Sequence, residues 1–137
     1  MAKRNEKRQS LMYLFDTNVL VLAIKGEKSE SEFLWKLVKR NRVYISVVTI
    51  AEYLSKANEE EVLVFENLVI ASKLLLVDEV IARIAAEYRK ESLKRSKVYL
   101  LDCLLAAQAK FHNLTVVTND KLGFSMKGIK VVSPSKK

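Results

Sequence analysis

Short apolar runs alternate with stretches of helical periodicity along this chain of 137 residues. Met12-Tyr13-Leu14-Phe15 and Val43-Tyr44-Ile45 are brief and continuously apolar, the pattern of strands buried on both faces. Leu74 to Val77, Thr115 to Thr118 and Lys130-Val131-Val132 are three further short runs of the same kind. Between them, Phe33, Leu34, Leu37 and Val38 predict an amphipathic helix over 30–40. Val62, Phe65, Leu68 and Val69 share one face of a helix over 60–72. Ile81, Ile84, Ala85 and Tyr88 stand at i, i+3, i+4 and i+7 of another over 79–92, with Asp78 as its N-cap. Shorter helices are expected over 19–24, from Ser46 to about Ala57, and from Asp102 to about Ala109. Strands alternating with helices predict an α/β domain with a parallel sheet and helices on both faces. The domain spans 12–133, between a basic tail over 1–11 and a short tail over 134–137. Lys90, Lys94, Arg95 and Lys97 mark a polar link over 90–97.

Four acids punctuate this pattern. Asp16 follows the first strand and Asp120 follows Val117-Thr118-Asn119, both at the carboxyl edge where an open parallel sheet collects ligands. Glu52 lies in the helix after the second strand, and Asp102 opens a helix. Each has an ordinary explanation alone: Asp16 as a helix cap, Glu52 as the partner of Thr49 in a capping box, Asp102 as a complement to the helix dipole, Asp120 as a turn residue. Together they outline one mouth. If Ser46 caps the helix itself, Thr49 and Glu52 stack on one face inside it. Thr17, Asn18, Ser46, Thr118 and Asn119 then supply neutral groups to orient the acids. Gathered carboxylates repel, and burying them unpaired is costly, so a hard divalent cation such as Mg²⁺ is the natural counter-charge.

Composition narrows the chemistry. The single cysteine, Cys103, excludes an intrachain disulfide framework and a cysteine-based zinc cluster, and it reads as a small core residue. His112 is the only histidine and sits near a helix end, which leaves little material for zinc hydrolysis or a histidine-based triad. The formal net charge of +8 suits a polyanionic partner. A basic surface around an acidic mouth suits a substrate that is itself a phosphate chain, with metal at the phosphate and lysines on the flanks. No apolar run approaches the roughly 20 residues that cross a bilayer. The basic start, Lys3-Arg4-Asn5-Glu6-Lys7-Arg8, is followed by an apolar stretch that Asp16 stops at once, so no signal peptide is read and the expected location is cytoplasmic.

Four segments in order carry a resemblance: Phe15-Asp16-Thr17-Asn18, Ile45-Ser46-Val47-Val48-Thr49-Ile50-Ala51-Glu52, Asp102 with Ala106-Ala107, and Val116-Val117-Thr118-Asn119-Asp120. With these the chain resembles the PIN-domain ribonucleases, in particular the VapC-type toxins of prokaryotic toxin–antitoxin pairs, over about residues 12–133. The resemblance implies a three-layer α/β/α fold on a central, mostly parallel five-stranded sheet. It implies a Mg²⁺- or Mn²⁺-dependent endoribonuclease, with an RNA substrate, an antitoxin partner and a homodimer. By the same resemblance Asp16, Glu52, Asp102 and Asp120 are the metal-binding and catalytic acids, and Asn18 and Thr118 are polar positions beside them. Many relatives carry a further basic or aromatic residue soon after the last acid, where this chain has Lys121-Leu122-Gly123-Phe124, so the group completing the site near Asn119 and Asp120 stays open.

Two other acid-based chemistries match less well. An aspartyl phosphatase wants a second aspartate two residues after the first, where Asn18 stands, and a phospho-acceptor receiver wants paired acids where Phe15-Asp16 offers one. An RNA-processing nuclease outside a toxin–antitoxin pair, or a non-catalytic RNA-binding module, are the remaining alternatives.

Overall fold

The computed structural model of the protein describes residues 11–93 and 98–134. The expected basic tail up to residue 10, residues 94–97 of the expected polar link, and residues 135–137 lie outside them. Five strands form one sheet: β1 (Tyr13–Phe15), β2 (Val43–Ser46), β3 (Lys73–Leu75), β4 (Thr115–Val117) and β5 (Lys130–Val132). Their order is β3-β2-β1-β4-β5. All four pairings are parallel, with Leu14 opposite both Tyr44 and Val116. The chain builds from β1 outward to β3, then returns to add β4 on the other side of β1. The carboxyl ends of β1 and β4 therefore meet at the switch point, where open parallel sheets leave a crevice.

The helices are α1 (Thr17–Ile24), α2 (Lys28–Lys39), α3 (Val47–Leu54), α4 (Glu59–Ile70), α5 (Glu79–Ser92) and α6 (Leu100–His112), with a 3₁₀ turn at Leu122–Phe124. Strand alternation divides them into two layers. Leu14 and Val116 pack in one cluster with Ile81 and Ala85 of α5 and Cys103, Leu105 and Ala106 of α6. Phe15, Ile45 and Val117 pack in the other with Leu20 of α1, Leu34 of α2, Tyr53 of α3 and Phe65 of α4. Central strands buried on both faces explain why their sequences are continuously apolar. Truncating Phe15, which is fully buried, would cost about 3–5 kcal/mol. The three-layer expectation holds.

Helix starts differ from the sequence reading in instructive ways. Asp78 caps α5 as expected, its Oδ1 accepting from the Ile81 amide at 3.0 Å. Helix α3 starts at Val47 because the Ser46 hydroxyl accepts from the Val48 amide at 3.0 Å, and it ends at Leu54 rather than near Ala57. Helix α6 begins two residues before Asp102, which is its third residue. Its N-cap, Tyr99, makes no side-chain capping bond, so the local sequence gives no start signal there. The helix closes on Asn113 in the left-handed region (φ 57°), a conformation that asparagine tolerates.

Candidate active site

Asp16 occupies the N-cap position of α1 without doing a cap's work. No backbone amide of the first turn bonds to its carboxylate in cap geometry. Instead Oδ2 accepts from Thr118 Oγ1, on the residue after β4, at 2.8 Å. Thr118 also accepts from the Asp120 amide at 2.9 Å. One buried hydroxyl thus ties the end of β1 to the loop that carries the last acid. Asp16 is buried, and desolvation raises its pKa, with the Glu52 charge adding to the rise; the Thr118 hydroxyl and the nearby amides of Asn18 and Thr17 act the other way.

Glu52 lies in the last turn of α3 and is half-buried. Its Oε1 accepts from Thr17 Oγ1 at 2.6 Å, a charge-assisted length. Thr17 also lies 3.2 Å from the hydroxyl of Thr49, so the two threonines and Glu52 form one chain across α1 and α3. The capping-box reading of Thr49 and Glu52 gives way to this arrangement, because Ser46 is the cap.

Asp102 faces these acids from α6. Burial comes first, then the charges of Asp16, Glu52 and Asp120, in pushing its pKa up to about 7. Asp102 thus feels all three of the other acids. Asp120 is exposed, with Oδ1 accepting from the Gly123 amide at 3.1 Å. These acids line a cleft of about 770 Å³ together with Asn18, Lys25, Lys56 and Tyr99.

The remaining expected residues do other work. Asn119 turns from the mouth: its Nδ2 donates to Glu30 Oε2 at 2.9 Å, and its Oδ1 accepts from Ser133 Oγ at 2.7 Å. Ser46 supports the site as the cap that sets where α3 begins. Lys25, Lys56 and Tyr99 of the cleft escaped the sequence reading, as did two residues behind it. Glu30 is a buried acid on α2 that pins Asn119 from 89 positions away; its only local trace is that it extends the Leu34 stripe one turn back. Gly123, in the 3₁₀ turn, left no periodic signal at all.

Among the described residues no three of these side chains are gathered closely enough to form a ready-made metal cluster. The chemistry of the set nevertheless fits a hard cation: four carboxylates and hydroxyl oxygens, no soft donor, and a raised pKa on the two most crowded acids. A cation bound here would draw the carboxylates inward and relieve their repulsion.

Comparison with known proteins identifies the family. Residues 13–126 match the PIN domain family. The chain is 31% identical to Toxin FitB of Neisseria gonorrhoeae over 138 residues, covering 90% of this chain and 98% of that protein. Among solved structures it is similar to DNA-bound VapBC from Salmonella typhimurium, with TM-score 0.77 and 25% identity, covering 90% of this chain and 98% of that one. FitAcB from Neisseria gonorrhoeae gives TM-score 0.74 and 28% identity, with the same coverage.

Proposed function

This chain belongs to the PIN-domain family, with VapC-type toxins among its relatives, and from that premise we propose that it is a metal-dependent endoribonuclease and the toxin of a toxin–antitoxin pair. The observation that carries the reading is the convergence of Asp16, Glu52, Asp102 and Asp120 at the crevice between β1 and β4. Asp16, Glu52 and Asp102 would hold one Mg²⁺ or Mn²⁺, with Asp120 sharing it or holding a second. When bound, the metal supplies a water of lowered pKa and neutralises charge on the cleaved phosphate.

The chain's own residues prepare that chemistry. Thr118 and Thr17 hold the Asp16 and Glu52 carboxylates in fixed rotamers, so two ligands need not be ordered at binding. Lys25 and Lys56 line the same cleft and would hold phosphates flanking the cleaved bond. No side-chain nucleophile is required, in keeping with the single histidine and the buried Cys103. The family reading extends to a homodimer and to an antitoxin segment, acidic or arginine-bearing, that plugs the mouth. The apolar side chains left exposed on α4 and at the start of α5, among them Leu63, Ile70 and Val80, are available to such contacts.

Purified protein should cleave RNA with Mg²⁺ or Mn²⁺ and not with EDTA, and Asp16→Asn and Asp102→Asn should be inactive while folded. Full activity in both variants would sink the assignment. Light scattering at micromolar concentration tests the dimer, and co-purification with the product of an adjacent small gene tests the pair.

A further inference from the structure

Gly123 occupies the 3₁₀ turn Leu122–Phe124, between the last acid and the buried Phe124. Its φ is not positive, unlike those of Gly26 and Gly128, so the backbone there does not demand glycine. Space does. A Cβ at position 123 would stand 2.8 Å from Asp120 Oδ2 and 3.4 Å from Asp102 Oδ2. The first separation is closer than carbon and oxygen tolerate, and the second brings the added carbon into contact with the facing acid. The Gly123 amide meanwhile donates to the other oxygen of Asp120, Oδ1, at 3.1 Å. Asp120 is therefore held by the turn's amide on one side, and faces Asp102 across the gap where a side chain would be.

We infer that Gly123 is a positioning residue of the site: its amide orients Asp120, and its missing side chain keeps open the gap through which Asp120 and Asp102 reach one cation. The inference rests on the metal site proposed above and goes beyond it by assigning the open part of that site to a backbone group. A methyl at 123 forces the Asp120 carboxylate to rotate off the Gly123 amide. That leaves a cation with one fewer oriented ligand, while the strands and Thr118 stay as they are.

The test titrates Mn²⁺ against the melting temperature of the parent, Gly123→Ala and Leu122→Ala, the last as a control at a neighbouring, 83% exposed side chain. Binding to the folded state raises the melting temperature with metal concentration, so each titration yields an apparent affinity. Gly123→Ala should keep the parent's metal-free melting temperature or exceed it, and should bind Mn²⁺ about tenfold more weakly. Leu122→Ala should match the parent. RNA cleavage by Gly123→Ala should recover as Mn²⁺ is raised about tenfold, which a merely disordered turn would not allow. Equal Mn²⁺ affinity in parent and Gly123→Ala overturns the inference alone. A parent whose melting temperature ignores Mn²⁺ overturns the metal site, and this inference with it.

Discussion

Asp16 and Glu52 each accept a hydrogen bond from a buried threonine hydroxyl, whereas Asp102, across the same cleft, accepts none among the described residues and is pushed up to about 7. Asp16 stands at the end of a central strand, and Glu52 on a helix whose start is fixed by the Ser46 cap. Asp102 and Asp120 stand on the opening turn of α6 and on the loop beyond β4. One half of the mouth is oriented by the fold itself. On the other side, Asp102 carries most of the repulsion. A carboxylate can be preorganised by neutral hydroxyls only while few charges surround it, and the later acids come into a field already set. Asp102, which accepts no hydrogen bond among the described residues, is the acid that a cation would change most.

The largest effects should come from removing an acid in either half. Asp16→Asn and Asp102→Asn should each lower RNA cleavage by about a thousandfold, the order expected when a principal charge at the reacting phosphate is lost. The two should part in stability. Asp102→Asn removes a charge that has only repulsion, so the metal-free variant should melt at or above the parent's temperature. Asp16→Asn disturbs a hydrogen-bonded carboxylate and should gain nothing. Thermal melts in EDTA would decide it, and if both variants simply destabilise, the acids are structural rather than ligands.

Breaking the preorganised half without touching an acid is the next test. Thr118→Val leaves the volume nearly unchanged but strips Asp16 of its side-chain donor and the Asp120 amide of its acceptor. Losing a buried hydrogen bond to a charged group costs about 1.5–3 kcal/mol, and the weakened ligand set should lower metal affinity about 10–100-fold. Thr17→Val should act in the same direction with less loss of stability, because Glu52 is only half-buried. Denaturant melts and Mn²⁺ titrations of the two variants would rank them. The contrast between the halves fails if Thr118→Val is silent in both.

How far the sequence revealed this contrast depends on the range of each contact. The strands were readable because both faces of the central ones are buried, and Asp78 because its cap is local. The four acids were readable as a set, from their places after apolar runs and from the family resemblance. The start of α6 was not, since Leu100 and Leu101 are partly exposed and Tyr99 is no capping residue. Nor were the pairings of Thr17 with Glu52, Thr118 with Asp16, and Glu30 with Asn119, which join positions 35, 102 and 89 apart. Such pairings follow from sheet order, which the strand sequences do not encode.

The crowded half also predicts a pH dependence. Asp102 titrates near 7 in the folded, metal-free protein against an ordinary 3.8. Between those values the folded chain keeps a proton that the unfolded chain releases, so stability falls as pH rises through the window. Asp16 is shifted in the same direction. The melting temperature in EDTA should drop by a few degrees from pH 5 to pH 8, a modest figure because Asp102 is only half-buried. Asp102→Asn should flatten the profile, and saturating Mn²⁺ should as well. A parent profile that is flat or rising in EDTA would mean that the four charges do not repel as the geometry requires.

The smallest effects should come from the basic flanks, which touch neither half of the acid set. Lys25 and Lys56 line the cleft and are exposed, so replacing each with glutamine leaves the fold and the acids in place. RNA binding by a chain of formal charge +8 should weaken steeply with salt, as lysines displace condensed counterions. Each lysine that contacts a phosphate adds about 0.7 to the slope of log affinity against log salt on a single strand. Lys25→Gln and Lys56→Gln should therefore each lower affinity a few-fold at low salt, reduce that slope by about 0.7, and leave Mn²⁺ affinity slightly higher or unchanged. Anisotropy titrations of the inactive Asp102→Asn protein with a labelled single-stranded RNA, repeated over a salt series, isolate binding from cleavage. An unchanged slope in the double variant would remove these lysines from the RNA path. A lower Mn²⁺ affinity would instead tie them to the acids, which their positive charge should prevent.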